Sequence, residues 1–171
     1  SADPLAAHSE HELGRAASAH VLRVLRLRAG DALTLFDGRG GEYPARLVRT
    51  GRAAAVVEVG AHLPLERESP LAITLLQSLA RGEKMDFIVQ KGTELGVTRI
   101  VPVAVGRSVM RVPQGREGRK LEHWRAVAAS ACEQCGRNRL PQIDAPVDLP
   151  SALALATSSE MRVLLSPEAP D

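Results

Sequence analysis

Residues 72–105 constrain the fold more than any other part of the chain. Residues 72–79 and 99–105 are apolar runs with no polar alternation, and residues 83–95 between them have helical spacing and end at Gly96. A strand, a crossover helix and a second strand make the two strands parallel. A parallel sheet is covered on both faces, which explains the missing alternation. The expectation is an α/β domain.

The pattern continues downstream. From residue 116 to residue 135, Leu121, Trp124, Ala128, Ala131 and Cys135 recur at steps of three and four, one packed helical face. Residues 142–145 read as a short strand, 149–156 as a helix, and 161–165 as a further strand ending at Ser166-Pro167. Neither G-x-G-x-x-G nor G-x-x-x-x-G-K-S/T occurs, so a Rossmann dinucleotide site or a P-loop is unsupported.

Upstream the periodicity changes. A short helix over 16–25 is followed by strands at 32–36, 42–48 and 53–59, separated by Asp37-Gly38-Arg39-Gly40-Gly41 and Thr50-Gly51-Arg52. This is a meander able to curl into a small barrel. The glycine cluster joins two strands, so it reads as a hairpin turn and not as a phosphate loop. Residues 63–71 hold two prolines and a cluster of charges, the composition of a linker. The expected domains are a β-barrel over 1–64 and an α/β domain over 65–171.

Composition narrows the function. No apolar run approaches the roughly 18 residues needed to span a bilayer, and the polar N-terminus lacks a signal-peptide core, so a soluble, cytoplasmic protein is expected. Cys132 and Cys135 are the only cysteines, too few for a disulfide framework and without partners for zinc; no metal is expected. The net charge of +2 is unevenly spread. Leu13 to Ala55 carries eight arginines against three carboxylates, and Arg99 to Arg139 carries nine Arg or Lys against three, whereas the last 32 residues are acidic. Aromatics make up 2%, so a nucleic acid would be held through phosphates and arginines, with little base stacking.

Several side chains are placed to do chemistry. Glu133 and Arg137 share a helical face if the helix runs that far, and the helix ends in a crowded polar stretch, Gly136-Arg137-Asn138-Arg139. Arg107 follows the second parallel strand, where ligands gather at the carboxyl ends of such sheets. His20, Arg23 and Arg26 recur at three-residue steps and form a cationic edge. Lys91 and Glu94 sit three apart on the crossover helix, the spacing of a surface ion pair.

Three stretches carry a resemblance: 20–31 (HVLRVLRLRAGD), 81–97 (RGEKMDFIVQKGTELGV) and 131–141 (ACEQCGRNRLP). In this order they resemble the RsmE family, the small-subunit (16S) ribosomal RNA uridine-N3 methyltransferases. The resemblance extends to the Phe36-Asp37-Gly38 turn and the Glu68-Ser69-Pro70-Leu71 junction, nearly the whole chain. It implies an N-terminal PUA-like barrel that grips RNA and a SPOUT-type domain that closes a trefoil knot around S-adenosylmethionine (SAM). It also implies a homodimer that acts on ribosomal RNA or on the assembled small subunit. The family's G-P-E-G-G loop and its later R-I-L-R-T-E-T-like segment do not occur here, so most of the knot is expected to lie beyond Asp171.

Transferred onto this chain, the resemblance makes Glu133, Arg137 and Arg107 catalytic. It makes His20, Arg23, Arg26, Lys91 and Asn138 RNA-binding, and Leu165, Ser166 and Pro167 the start of the cofactor site. Methylating N3 requires loss of its proton, so Glu133 is the expected base, and Arg137 or Arg107 would stabilise charge on the uracil oxygens. Two other readings stay open: an RNA-binding module without transfer activity, and an α/β enzyme for an acidic small molecule.

Overall fold

The structure is a computed structural model and describes residues 5–51, 54–105 and 117–165. The chain divides into two compact units, residues 1–70 with 132–140, and residues 71–131 with 141–171.

In the first unit the expected meander is present. Strands β2 (Ala32–Leu35), β3 (Tyr43–Thr50) and β4 (Ala55–Val59) pair antiparallel, with a register shift in the β3–β4 ladder between Leu47 and Arg49. Alternation on β3 drives the packing: Tyr43, Ala45 and Leu47 point into the core, while Pro44 and Arg46 face water. Leu47, Val57 and Val59 are almost fully buried and centre this core. A strand not expected from the sequence, β1 (Glu10–Glu12), extends the sheet to the order β1-β4-β3-β2. Its residues are polar and carry no hydrophobic signal; pairing with the β4 backbone makes it a strand.

The helix expected over 16–25 changes character midway. Helix α1 (Arg15–Ala19) runs directly into one π-helical turn, His20–Val24. The Leu25 N–H donates to His20 C=O at 3.0 Å, five residues back. Arg26 then takes a left-handed φ of 55°, rare without glycine, and the Leu27 N–H folds back onto Val21 C=O at 3.0 Å. The buried Ser18 hydroxyl joins the helix to the sheet, donating to Leu13 C=O at 2.8 Å and accepting from the Ala55 N–H at 3.1 Å.

The second unit contains the βαβ unit read from the sequence. Strand β5 (Ile73–Ser78) and strand β6 (Val97–Ala104) are parallel and joined by α2 (Glu83–Glu94). Gly96, at φ 89°, ends the helix. The short strands β7 (Gln142–Ile143) and β8 (Val147–Asp148) line up parallel on the other edge of β6. On one face Met85 and Val89 of α2 and Trp124 and Ala128 of α3 (Glu117–Cys135) pack with Ile100 and Ile143. On the other, Ala152 of α4 (Leu149–Leu155) meets Val101 and Val103. Asp148 caps α4 by accepting the Ser151 N–H at 2.9 Å.

One expected element is absent. Residues 161–165 do not form a strand; the segment is irregular and Leu165 is 89% exposed. An apolar run becomes a strand only with a ladder partner, and residues 161–165 pair with no described strand.

Candidate nucleic-acid interface

Two clusters of arginines occupy the first unit, and their surroundings differ completely. The first lines a cavity of about 420 Å³ formed by α1, the π turn, the following loop and the end of β3. Arg15, Arg23 and Arg28 surround it, with Leu22 and Leu27 as apolar wall and Thr50 at the rim. All three arginines are exposed, and none has an acidic partner among the described residues. The tight fold-back at Arg26 and Leu27 brings Arg28 round to the same space as Arg15 and Arg23.

Of the cationic edge expected at His20, Arg23 and Arg26, only Arg23 lines this cavity. The π turn breaks the 3.6-residue period on which that edge was based. Arg15 and Arg28 were not singled out by sequence reasoning. The only sequence signal for them was the excess of arginine over acid in this stretch.

The second cluster is a clamp. Helix α3 does not run on to Arg137; it stops at Cys135, and Gly136 at φ 80° donates its N–H to Cys132 C=O at 2.9 Å. The expected sharing of one helical face by Glu133 and Arg137 therefore fails, because the left-handed glycine turns the chain before Arg137. Arg137 is instead 8% exposed and grips Glu68, with its Nε 3.1 Å from Oε1 and its Nη2 on Oε2. Burial alone would lower the Arg137 guanidinium, but the Glu68 carboxylate outweighs it and holds the group above its ordinary value.

Asn138 is 1% exposed and donates from Nδ2 to Leu65 C=O at 2.9 Å. Its Oδ1 is buried without a hydrogen-bond partner among the described residues. Arg139 reaches Glu66 at 3.3 Å, and Arg67 pairs with Glu42. The Arg67 hydrogen bond holds the Glu42 carboxyl below its usual range against the opposing effect of burial, with Asn138 adding a smaller pull. Backbone contacts complete the clamp: Gly40 N–H donates to Asn138 C=O at 3.1 Å, and Leu140 N–H to Gly38 C=O at 3.0 Å. Gly40 takes φ 99°, a left-handed backbone that favours glycine. The charged stretch read as a linker thus has each of its carboxylates and its arginine paired within this unit.

The remaining candidates are dispersed. Glu133 is exposed on the last turn of α3. Lys91 pairs with Glu94 at 2.6 Å and lies 5.9 Å from the Phe87 ring centre, the surface pair its spacing predicted. Asp144 takes up one cation of the second basic stretch, Arg99, at 2.6 Å. Arg107, Ser166 and Pro167 lie outside the described residues. Leu165 is exposed on an irregular segment, and a cavity of about 160 Å³ beside Gly82 and His123 is smaller than the several hundred Å³ a cofactor needs. Among the described residues no three His, Cys, Asp or Glu side chains converge as metal ligands, and no helix is long and apolar enough to cross a membrane.

Comparison with known proteins adds three findings. Residues 67–171 match the family model described as an RNA methyltransferase domain, and residues 13–60 match that of an RNA methyltransferase PUA domain. Proteins named ribosomal RNA small subunit methyltransferase E from Buchnera aphidicola and Bacillus subtilis are 31% and 30% identical over 130 and 124 residues. These alignments cover 76% and 72% of this chain and 51% and 48% of the relatives, so the chain spans about half their length. A Legionella pneumophila protein solved with its cofactor SAM superposes with a TM-score of 0.89 at 33% identity, covering 97% of this chain and 68% of that one. The SAM-bound small subunit methyltransferase E of Neisseria gonorrhoeae does so at 0.82 and 37%, covering 94% and 64%.

Proposed function

The chain belongs to the RsmE family of RNA methyltransferases, and from that premise we propose that it serves SAM-dependent methylation of N3 of a uridine in small-subunit ribosomal RNA. The observation that carries this reading is the match of a PUA domain over residues 13–60 followed by an RNA methyltransferase domain over 67–171, beside relatives named ribosomal RNA small subunit methyltransferase E. In this reading residues 1–64 hold RNA and residues 65–171 belong to the transferring domain. The protein acts in the cytoplasm on ribosomal RNA or the assembled small subunit, as a homodimer.

SAM, when bound, supplies an electrophilic methyl group. The chain's own task is to prepare the acceptor. Uridine N3 carries a proton and lies on the pairing edge, so the base must be unpaired and its proton removed. Glu133, an exposed carboxylate at the end of α3, is the proposed acceptor of that proton. Arg107 is the proposed stabiliser of charge on the uracil oxygens. Arg137, held by Glu68, is assigned a positioning role: it sets the loop that follows Glu133. Asn138 shares that role, since its amide is buried on Leu65.

Incubating the protein with methyl-labelled SAM and unmodified small subunits tests this. Label recovered as N3-methyluridine supports it, and label on a ring carbon or on ribose overturns it. Glu133→Gln should reduce turnover by about 100-fold or more with RNA affinity retained, as expected for a general base.

A further inference from the structure

The cavity bounded by Arg15, Arg23 and Arg28 has a chemistry that its neighbours do not share. Elsewhere in the first unit five arginines have partners: Arg49 is taken by Glu10 at 2.7 Å, Arg46 by Gly30 C=O, Arg67 by Glu42, Arg137 by Glu68 and Arg139 by Glu66. Around this one concave space, three guanidinium groups have no acidic partner among the described residues, and their like charges repel each other. That backbone is costly: a π turn and a left-handed arginine are both uncommon, and such features concentrate where a ligand makes use of them.

We propose that this cavity docks the sugar-phosphate backbone of an unpaired RNA strand, with the three arginines on successive phosphates and one nucleoside against Leu22 and Leu27. The assignment rests on the RNA reading above and locates its grip. About 420 Å³ suits a nucleotide-sized group. Three cations exceed what a single phosphodiester neutralises, and the exposure of all three lets a strand continue past the rim. No aromatic ring lines the space among the described residues, so the site holds backbone and is tolerant of sequence.

The test is fluorescence anisotropy of an end-labelled single-stranded RNA of about twelve nucleotides, titrated with the protein across a salt series. The Arg15→Ala/Arg28→Ala double variant should lose about tenfold in affinity, and its salt slope should flatten by about 0.7 per arginine removed. Arg49→Ala, which removes an arginine already neutralised by Glu10, should bind as wild type. Unchanged affinity and slope in the double variant, with wild-type binding intact, would overturn the cavity assignment and leave the methyltransferase reading standing. If the wild-type protein binds no RNA, both fail together. Displacement by uridine monophosphate at the RNA's own affinity would also overturn it, marking a free-nucleotide site. Circular dichroism melts of each variant exclude loss of fold as the cause.

Discussion

The two arginine clusters of the first unit are made from the same residue type and serve opposite ends. In the clamp, Arg67, Arg137 and Arg139 are matched one to one with Glu42, Glu68 and Glu66, and their charge is spent on holding residues 65–68 and 136–140 together. Around the cavity, Arg15, Arg23 and Arg28 have no acidic partner among the described residues. An arginine count therefore says little about nucleic-acid binding until the acids are located. What distinguishes the clusters is the fate of the charge: a buried, forked pair fixes geometry, whereas an exposed, unpaired guanidinium is available to a ligand.

The sharpest way to break this contrast is to remove the most buried pair. Arg137→Ala strands Glu68, only 11% exposed, and should cost about 3 kcal/mol, a fall in melting temperature of about 10 °C. Arg137→Lys should recover only part of this, because a point charge cannot make both bonds of the fork. If Arg137→Ala melts with wild type, the clamp is not what holds this loop.

Acid should open the clamp next. The folded Glu42 and Glu66 carboxyls lie below their ordinary values, Glu42 chiefly through Arg67 and Glu66 chiefly through the Glu68 backbone N–H. Their stabilisation is fully present above the unfolded carboxylate range near pH 4.5 and is lost as pH falls through the folded values. Melting temperature should therefore drop below about pH 4.5, and less steeply in Glu42→Gln. Equal slopes for the two proteins would remove Glu42 from the account.

Smaller effects sharpen the same contrast. Burial pushes the Cys132 thiol up to about 11, and that sulfur donates to Arg139 C=O at 3.5 Å, while Cys135 is exposed. Iodoacetamide at pH 8 should label Cys135 and spare Cys132 until the clamp is broken; early labelling of Cys132 would show a loose loop. Least of all, Arg15→Ala and Arg28→Ala should leave melting unchanged within error while weakening RNA, the reverse of Arg137→Ala.

Much of the fold was legible. The βαβ unit, the long α3 and the meander were all carried by local periodicity, which reports directly on which faces are buried. The misses have equally local reasons. Glu10-His11-Glu12 shows no apolar alternation because its strand character comes from β4, and residues 161–165 look like a strand yet pair with no described strand. The π turn at His20–Val24 is invisible because nothing in the residue pattern marks the shift from a four-residue to a five-residue hydrogen-bond step.

The site was legible in its parts and not in its assembly. The Gly136-Arg137-Asn138-Arg139 stretch stood out as polar crowding at a helix end, but its partners Leu65, Glu66 and Glu68 lie about seventy residues earlier. By itself the sequence determined the two architectures, the basic bias of the first unit and the family. Only the tertiary structure decided which arginines are spent on carboxylates and which remain for a ligand. Charge pairing depends on distances between segments far apart in the chain, and no local pattern encodes those distances.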